Sequence, residues 1–183
     1  MLRRLTRAFS TPARTNPASS AARLASLDGH PRFGRVLLFD GVCNFCNARV
    51  NFVMKHNNDQ SVHFAAHQSE FGKELFALCG LGNLKWEDSV VFVENGRAFA
   101  HSDAALRVCQ YLSFPFSLLY WLVLVPRPLR DAVYSLIGTN RYRWFGKAQT
   151  CRLPTRAERA RFLNDDADLA QLRELTSSAR TRN

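Results

Sequence analysis

The stretch Val36-Leu37-Leu38-Phe39-Asp40-Gly41-Val42-Cys43-Asn44-Phe45-Cys46 joins an apolar run to a pair of cysteines three positions apart. Four consecutive apolar residues read as a buried strand, and Asp40-Gly41 as the turn that ends it. Beyond the turn, Cys46, Val50, Val53 and Met54 fall on one helical face while Asn47, Arg49 and Asn51 turn to solvent, which predicts a helix to about His56. The thiols therefore stand at a strand-to-helix junction. Unsatisfied N–H groups and the positive end of the helix dipole stabilise a thiolate there, the form of the sulfur that attacks disulfides. The periodicity turns Cys46 inward and leaves Cys43 exposed, an attacking thiol beside a shielded resolving one. Asp40 either shapes the turn or relays a proton to or from Cys46.

Further elements follow in a readable order. Ser61–Ala65 reads as a short strand, and Ser69 as the cap of a helix whose Phe71, Leu75 and Leu78 share a face until Gly80. Ser89–Val93 is a buried strand by composition, and Asn95-Gly96 turns it back into Arg97–Ala100. Ser102 then caps a helix containing Leu106, Cys109 and Leu112. Strand, helix, strand, helix, hairpin and helix, with the thiol pair opening the first helix, predict an α/β thioredoxin-like fold over residues 35–113. Its sheet is mixed and four-stranded, flanked by helices, with the first two strands parallel.

Residues 114–175 read as a C-terminal helical extension. Leu118–Val125 is wholly apolar but too short to span a bilayer, which needs about 20 residues, so a buried helix or an interaction surface is expected. Pro128 suits the start of a helix reaching Ile137 and Gly138, and Thr155 with Glu158 has the spacing of a capping box opening another. Residues 176–183 read as a disordered tail.

The 183 residues carry a formal charge of +10, concentrated in two blocks. Residues 1–35 hold seven Arg and one Asp; residues 127–161 hold nine basic and two acidic residues. The first block, residues 1–34, reads as a mitochondrial targeting peptide and disordered linker. Residues 1–27 hold Arg3, Arg4, Arg7, Arg14 and Arg23, many Ser, Thr and Ala, and no acid, with no long apolar centre of a secretory signal. Arg7-Ala8-Phe9-Ser10 resembles a matrix-protease site cut before Ser10. The mitochondrial matrix is the expected location and the chloroplast its alternative. The second block offers contacts to a larger mitochondrial complex.

Five cysteines without a secretory signal argue against a structural disulfide framework. Cys79 and Cys109 fall on apolar helix faces and read as small core residues. Cys43 and Cys46 followed by His63 and His67 come close to zinc-finger spacing. In a finger, however, the histidines lie on the helix, whereas here the cysteines start it, so no metal is expected.

The chain resembles the DCC family of thiol-disulfide oxidoreductases, named for an Asp and two Cys near the start of the domain. The resemblance is carried by Leu38–Asn47, Ser89-Val90-Val91, Ser102–Leu106, Pro126–Asp131 and Asn140–Lys147, followed by Cys151 and Pro154. It covers about residues 35–163. It implies a thioredoxin-like fold, protein-disulfide reductase activity with Cys43 and Cys46 as the redox pair, protein thiols and disulfides as partners, and no bound cofactor. Cys151 matches a family cysteine and is a candidate third thiol. Ordinary thioredoxins place a cis-proline facing the thiols; here that position falls near Asp88-Ser89, without proline. The match also explains Arg141–Lys147 without nucleic acid: its aromatics pack the extension onto the core and its arginines form a solvated or partner-facing rim. The alternative function is a non-catalytic accessory subunit of a mitochondrial assembly such as a ribosome or respiratory complex.

Overall fold

In a computed structural model, which describes residues 17–81, 84, 89–148 and 154–178, the apolar run becomes the inner strand of a four-stranded sheet. The strands are β1 (Arg35–Phe39), β2 (His63–Ala66), β3 (Val91–Glu94) and β4 (Arg97–Ala100), in the order β2-β1-β3-β4. β1 runs parallel to β2, with Leu38 opposite Ala65, and antiparallel to β3, with Leu37 opposite Phe92. β3 and β4 form the hairpin, and Asn95 and Gly96 take the positive φ angles, 49° and 68°, that a tight turn between twisted strands demands. The fold is thus of the thioredoxin-like kind.

Side chains alternate across β1 and divide the core in two. Val36 and Leu38 join Ala65, Val91 and Val93 on one face, covered by α1 (Pro17–Ala25), α3 (Glu70–Leu78) and α6 (Asp166–Ser178). Leu37 and Phe39 join Phe64, Ala66 and Phe92 on the other, under α2 (Asn44–His56) and α4 (His101–Cys109). A 3-10 helix (Phe116–Leu124) and α5 (Arg127–Phe145) then pack on α4.

Several expectations are corrected. Residues 17–34 are not a disordered linker: they include α1, and Leu24, Leu27 and Phe33 are buried in the first core. Small residues interspersed with Leu and Arg suit a targeting peptide and a packed helix alike, and only contact with the sheet separates the two. Ser102 does not cap α4; it lies buried inside the first turn and donates to Asp131 Oδ1. Leu118–Val125 forms no buried helix. No residue of that 3-10 helix is buried, and Leu118, Leu119, Trp121, Leu122 and Leu124 are exposed. α5 continues through Gly138 to Phe145, because one helical glycine costs only about 1 kcal/mol. Thr155 and Glu158 make half of a capping box, the Thr155 N–H reaching Glu158 Oε2 at 2.9 Å, yet only the three-residue 3-10 helix Arg159–Arg161 follows. α6 runs past the expected start of the tail and buries Thr176, whose hydroxyl donates to the Leu172 carbonyl at 2.9 Å. The part of the expected targeting peptide before residue 17 lies outside the described residues.

Gly72 marks the closest approach of helix to sheet: a Cβ there would stand 2.0 Å from the Ala66 carbonyl oxygen. Gly→Ala in a helix ordinarily stabilises by about 0.5–1 kcal/mol. Here the sign reverses, and Gly72→Ala is expected to lower the unfolding free energy by about 1–3 kcal/mol, as overpacking does, read from the urea midpoint at constant m.

Candidate active site

The loop between β1 and α2 places the two cysteines on different sides of the helix start. Cys43 is the N-cap of α2, in extended conformation (φ −86°, ψ 118°), and its sulfur accepts the Cys46 backbone N–H at 3.4 Å. The sulfur thus takes the place usually held by a Ser or Asp oxygen, and a charged acceptor is favoured there. Cys43 is held well below the ordinary thiol value, at about 6. The hydrogen bond from the Cys46 side chain contributes most to this, with the Cys46 N–H and the Arg141 guanidinium adding to it and burial and Asp40 opposing it. Cys46 is pushed up, first by giving that hydrogen bond to Cys43 and then by burial and by the Cys43 charge. The arrangement favours the thiolate on Cys43 and the protonated thiol on Cys46.

Exposure runs opposite to the expectation from periodicity. Cys43 is 0% exposed and Cys46 is partly exposed. The cause is the end of α5. Gly146 (φ 75°) turns the chain back over the loop, where Lys147 bridges antiparallel to Cys43 and the Ala148 N–H donates to the Val42 carbonyl at 2.8 Å. Asn44 Nδ2 donates to the Phe145 carbonyl at 3.0 Å, and the rings of Phe45 and Phe145 stack with centroids 4.8 Å apart. Residues 145–148 thus form a strap across the thiolate. No local periodicity reports a segment so distant in sequence.

Asp40 is buried, and its Oδ1 accepts from the Val42 N–H at 3.1 Å, which is the turn-shaping role. The carboxylate also accepts from Gln68 Nε2 at 2.7 Å and from the Tyr142 hydroxyl, and Arg141 Nη2 lies 3.7 Å away. Arg141 is itself buried, 7% exposed, so it belongs to the site and not to a solvated rim. Gln68, Arg141 and Tyr142 went unnoticed as site residues in the sequence, although Asn140–Lys147 signalled that the segment mattered. Ser89, at the place of the absent cis-proline, accepts the His101 N–H on Oγ at 2.8 Å, while the Val90 N–H donates to the Tyr134 hydroxyl at 3.0 Å. Asp88 and Cys151 lie outside the described residues.

Cys79 and Cys109 pack against the two cores, and burial pushes their thiols up to about 12 and about 11. His63 stands on β2 opposite Val36, and His67 is buried beyond the strand end; burial holds both near 4, uncharged at neutral pH. Among the described residues, no group of three or more His, Cys, Asp and Glu is placed to hold a metal ion.

The model of the DCC1-like thiol-disulfide oxidoreductase family matches residues 37–147, a span that runs from β1 to the strap. The chain belongs to this family. An uncharacterized protein of Bacillus subtilis, YuxK, is 46% identical over 129 residues, covering 70% of the chain and 93% of that protein. A DCC family protein of Arabidopsis thaliana, named as chloroplastic, is 41% identical over 121 residues, covering 64% of the chain and 69% of that protein. No solved structure matches the chain. The family match ends at Lys147, so all of the strap but Ala148 lies within the stretch this DCC-family chain shares with it.

Iodoacetamide alkylation of Cys43, followed by peptide mass spectrometry, is expected to rise with pH about a midpoint near 6, because the thiolate fraction grows as pH passes the thiol's own value. Cys46→Ala removes the largest stabilising contact and is expected to move that midpoint up toward the ordinary thiol value of about 8.5. An unmoved midpoint would refute the assignment of Cys46 as donor.

Proposed function

We propose that this protein is a protein-disulfide reductase acting through Cys43 and Cys46. One arrangement carries the reading: the Cys43 sulfur caps the start of α2, accepting the Cys46 N–H at 3.4 Å, with its thiol lowered and that of Cys46 raised. Cys43 thiolate attacks a client disulfide, one client sulfur leaves as thiolate, and a mixed disulfide forms on Cys43. Cys46 then loses its proton and attacks Cys43 Sγ. The electron pair of the mixed disulfide passes to the second client sulfur, and the pair is left as a disulfide. Asp40 and Cys46 line the same cavity, and Asp40 is the proposed acceptor of the Cys46 proton. The client reaches Cys43 by displacing residues 145–148, and its backbone takes over the Val42 carbonyl. Cys43→Ser is expected to abolish insulin reduction, and Cys46→Ala to accumulate mixed disulfides on Cys43 that identify the clients; full insulin reduction by Cys43→Ser would reject the mechanism.

An organellar matrix is the proposed location, on the Arg-rich, acid-free residues 1–27 and the chloroplastic name of the Arabidopsis relative. Mitochondria are preferred and chloroplasts are the alternative. A second reading, an accessory subunit of a larger assembly, draws on the exposed apolar residues from Phe114 to Leu136 and on Arg127, Arg143 and Lys147 beside them. Fractionation of cells expressing the tagged full chain tests both: the protein is expected in the mitochondrial matrix, sedimenting as a small species. Cosedimentation with a large complex that survives Cys43→Ser would favour the accessory role.

A further inference from the structure

The two sulfurs face different surroundings, and this bears on how the oxidised pair is reduced again. A cavity of about 310 Å³ lies between α2, α4, α5 and the 3-10 helix, within the size range of small-ligand pockets. Its walls are mostly apolar, with Val50, Val108, Leu119 and Ile137 among them. Cys46 lines it, and Cys43 does not. Arg49 and Leu119 are both lining residues and exposed, which places the mouth between α2 and the 3-10 helix. Cys43 meanwhile is closed off beneath the strap. A molecule that enters the cavity therefore meets one sulfur of the pair.

We infer that the Cys43–Cys46 disulfide is reduced from the cavity side, by a small apolar thiol that attacks Cys46 Sγ and expels Cys43. The inference rests on the exchange reading above and names the reductant class for the same pair. In the first step the thiol enters uncharged, passes its proton to Asp40, which lines the same cavity, and its thiolate bonds to Cys46 Sγ. The bond between the two cysteines breaks, and its electron pair goes to Cys43. A second molecule of the thiol attacks the sulfur of the first, and Cys46 leaves and takes a proton. Two thiols become one disulfide, and the protein disulfide becomes a thiolate and a thiol. Exchange is faster when the leaving sulfur is the better-stabilised thiolate, and here that is the sulfur capping α2. Arg141 and Asp40 in the lining face each other and Arg49 lies over the Phe45 ring, so the remaining, mostly apolar wall disfavours a charged thiol, which would have to shed its hydration to enter. Cys109, also on the wall, does not compete, because burial keeps its thiol protonated at neutral pH. Client and reductant then use opposite sides of the pair, the client under the strap at Cys43 and the reductant through the cavity at Cys46.

The test uses oxidised full-length protein treated with benzyl mercaptan or glutathione, quenched with acid and mapped by peptide mass spectrometry. Rates are corrected for thiolate fraction and for each thiol's rate with a small unhindered disulfide. The adduct is expected on Cys46, with benzyl mercaptan faster by about tenfold or more. Leu119→Glu, at a residue 43% exposed so that folding is spared, puts a carboxylate in the cavity wall and is expected to slow benzyl mercaptan by making the wall polar and anionic glutathione by repulsion. An adduct on Cys43, or equal corrected rates, overturns this inference and leaves the reductase reading intact if insulin is still reduced. A pair that forms no disulfide, or one that neither thiol reopens, overturns both.

Discussion

A buried carboxylate and a buried guanidinium meet at the end of β1, and the site is assembled around them. Asp40 comes from the strand end and Arg141 from the last turns of α5, both nearly sealed from solvent. Tyr142 donates to the same carboxylate from the next position of the helix. Removing either ion of such a pair strands the other, at a cost of about 3–5 kcal/mol, so the helix end is anchored against the loop that carries the thiols. That anchor brings Gly146 to the place where the chain can turn back over Cys43. The extension after the core is therefore part of the site that holds the two cysteines.

The same ion pair does not decide which sulfur ionises. Arg141 lowers both thiols and Asp40 raises both, so their charges act on the two cysteines with the same signs. The difference comes from hydrogen-bond direction. Cys43 accepts from the Cys46 N–H and side chain, whereas Cys46 gives its proton to that bond. The donors that make a thiolate also crowd it. A sulfur seated at the first turn of a helix is surrounded by backbone, and the strap closes what remains. Ionisation and access are thus split between the two cysteines, the ionised one covered and the protonated one open to a cavity.

Local order in the sequence carried the sheet and most of the helices, because each was marked by a short-range signal. Four apolar residues before Asp40-Gly41, the Ser69 cap and the Asn95-Gly96 turn all do their work within a few positions. What escaped was fixed by distant contacts. α1 was hidden because its alanines and serines suit import and packing equally, and only Leu24, Leu27 and Phe33 meeting the sheet distinguish them. The exposure of Cys43 and Cys46 was read in reverse, since periodicity on α2 knows nothing of residues 145–148. The basic block misled in a related way. Arg141 is buried at the site, and Arg161 is buried against the end of α2, donating to the Met54 carbonyl at 3.1 Å and to Asn57 Oδ1 at 2.6 Å. A count of charges cannot separate a solvated arginine from one that binds carbonyls in the interior.

On the proposed exchange at Cys43, the strap sets a cost that a client must meet. The contacts that hold it include two hydrogen bonds, Ala148 N–H to Val42 and Asn44 to Phe145, and the stack of Phe45 on Phe145, with Lys147 also lying over the Tyr142 ring. With a net contribution of about 0.5–1.5 kcal/mol for each of the first three, lifting it costs on the order of 2–4 kcal/mol. The open form is then roughly one part in thirty to one in a thousand, and the apparent affinity for any client falls by that fraction. A client recovers the loss only by replacing what it removes: a backbone N–H for the Val42 carbonyl and a flat apolar side chain for the face of Phe45. An extended segment with an aromatic residue near its cystine supplies both, and a small charged disulfide supplies neither. If clients exchange at Cys43 as proposed, the strap acts as a selectivity filter on their side of the pair, opposite the mostly apolar cavity beside Cys46.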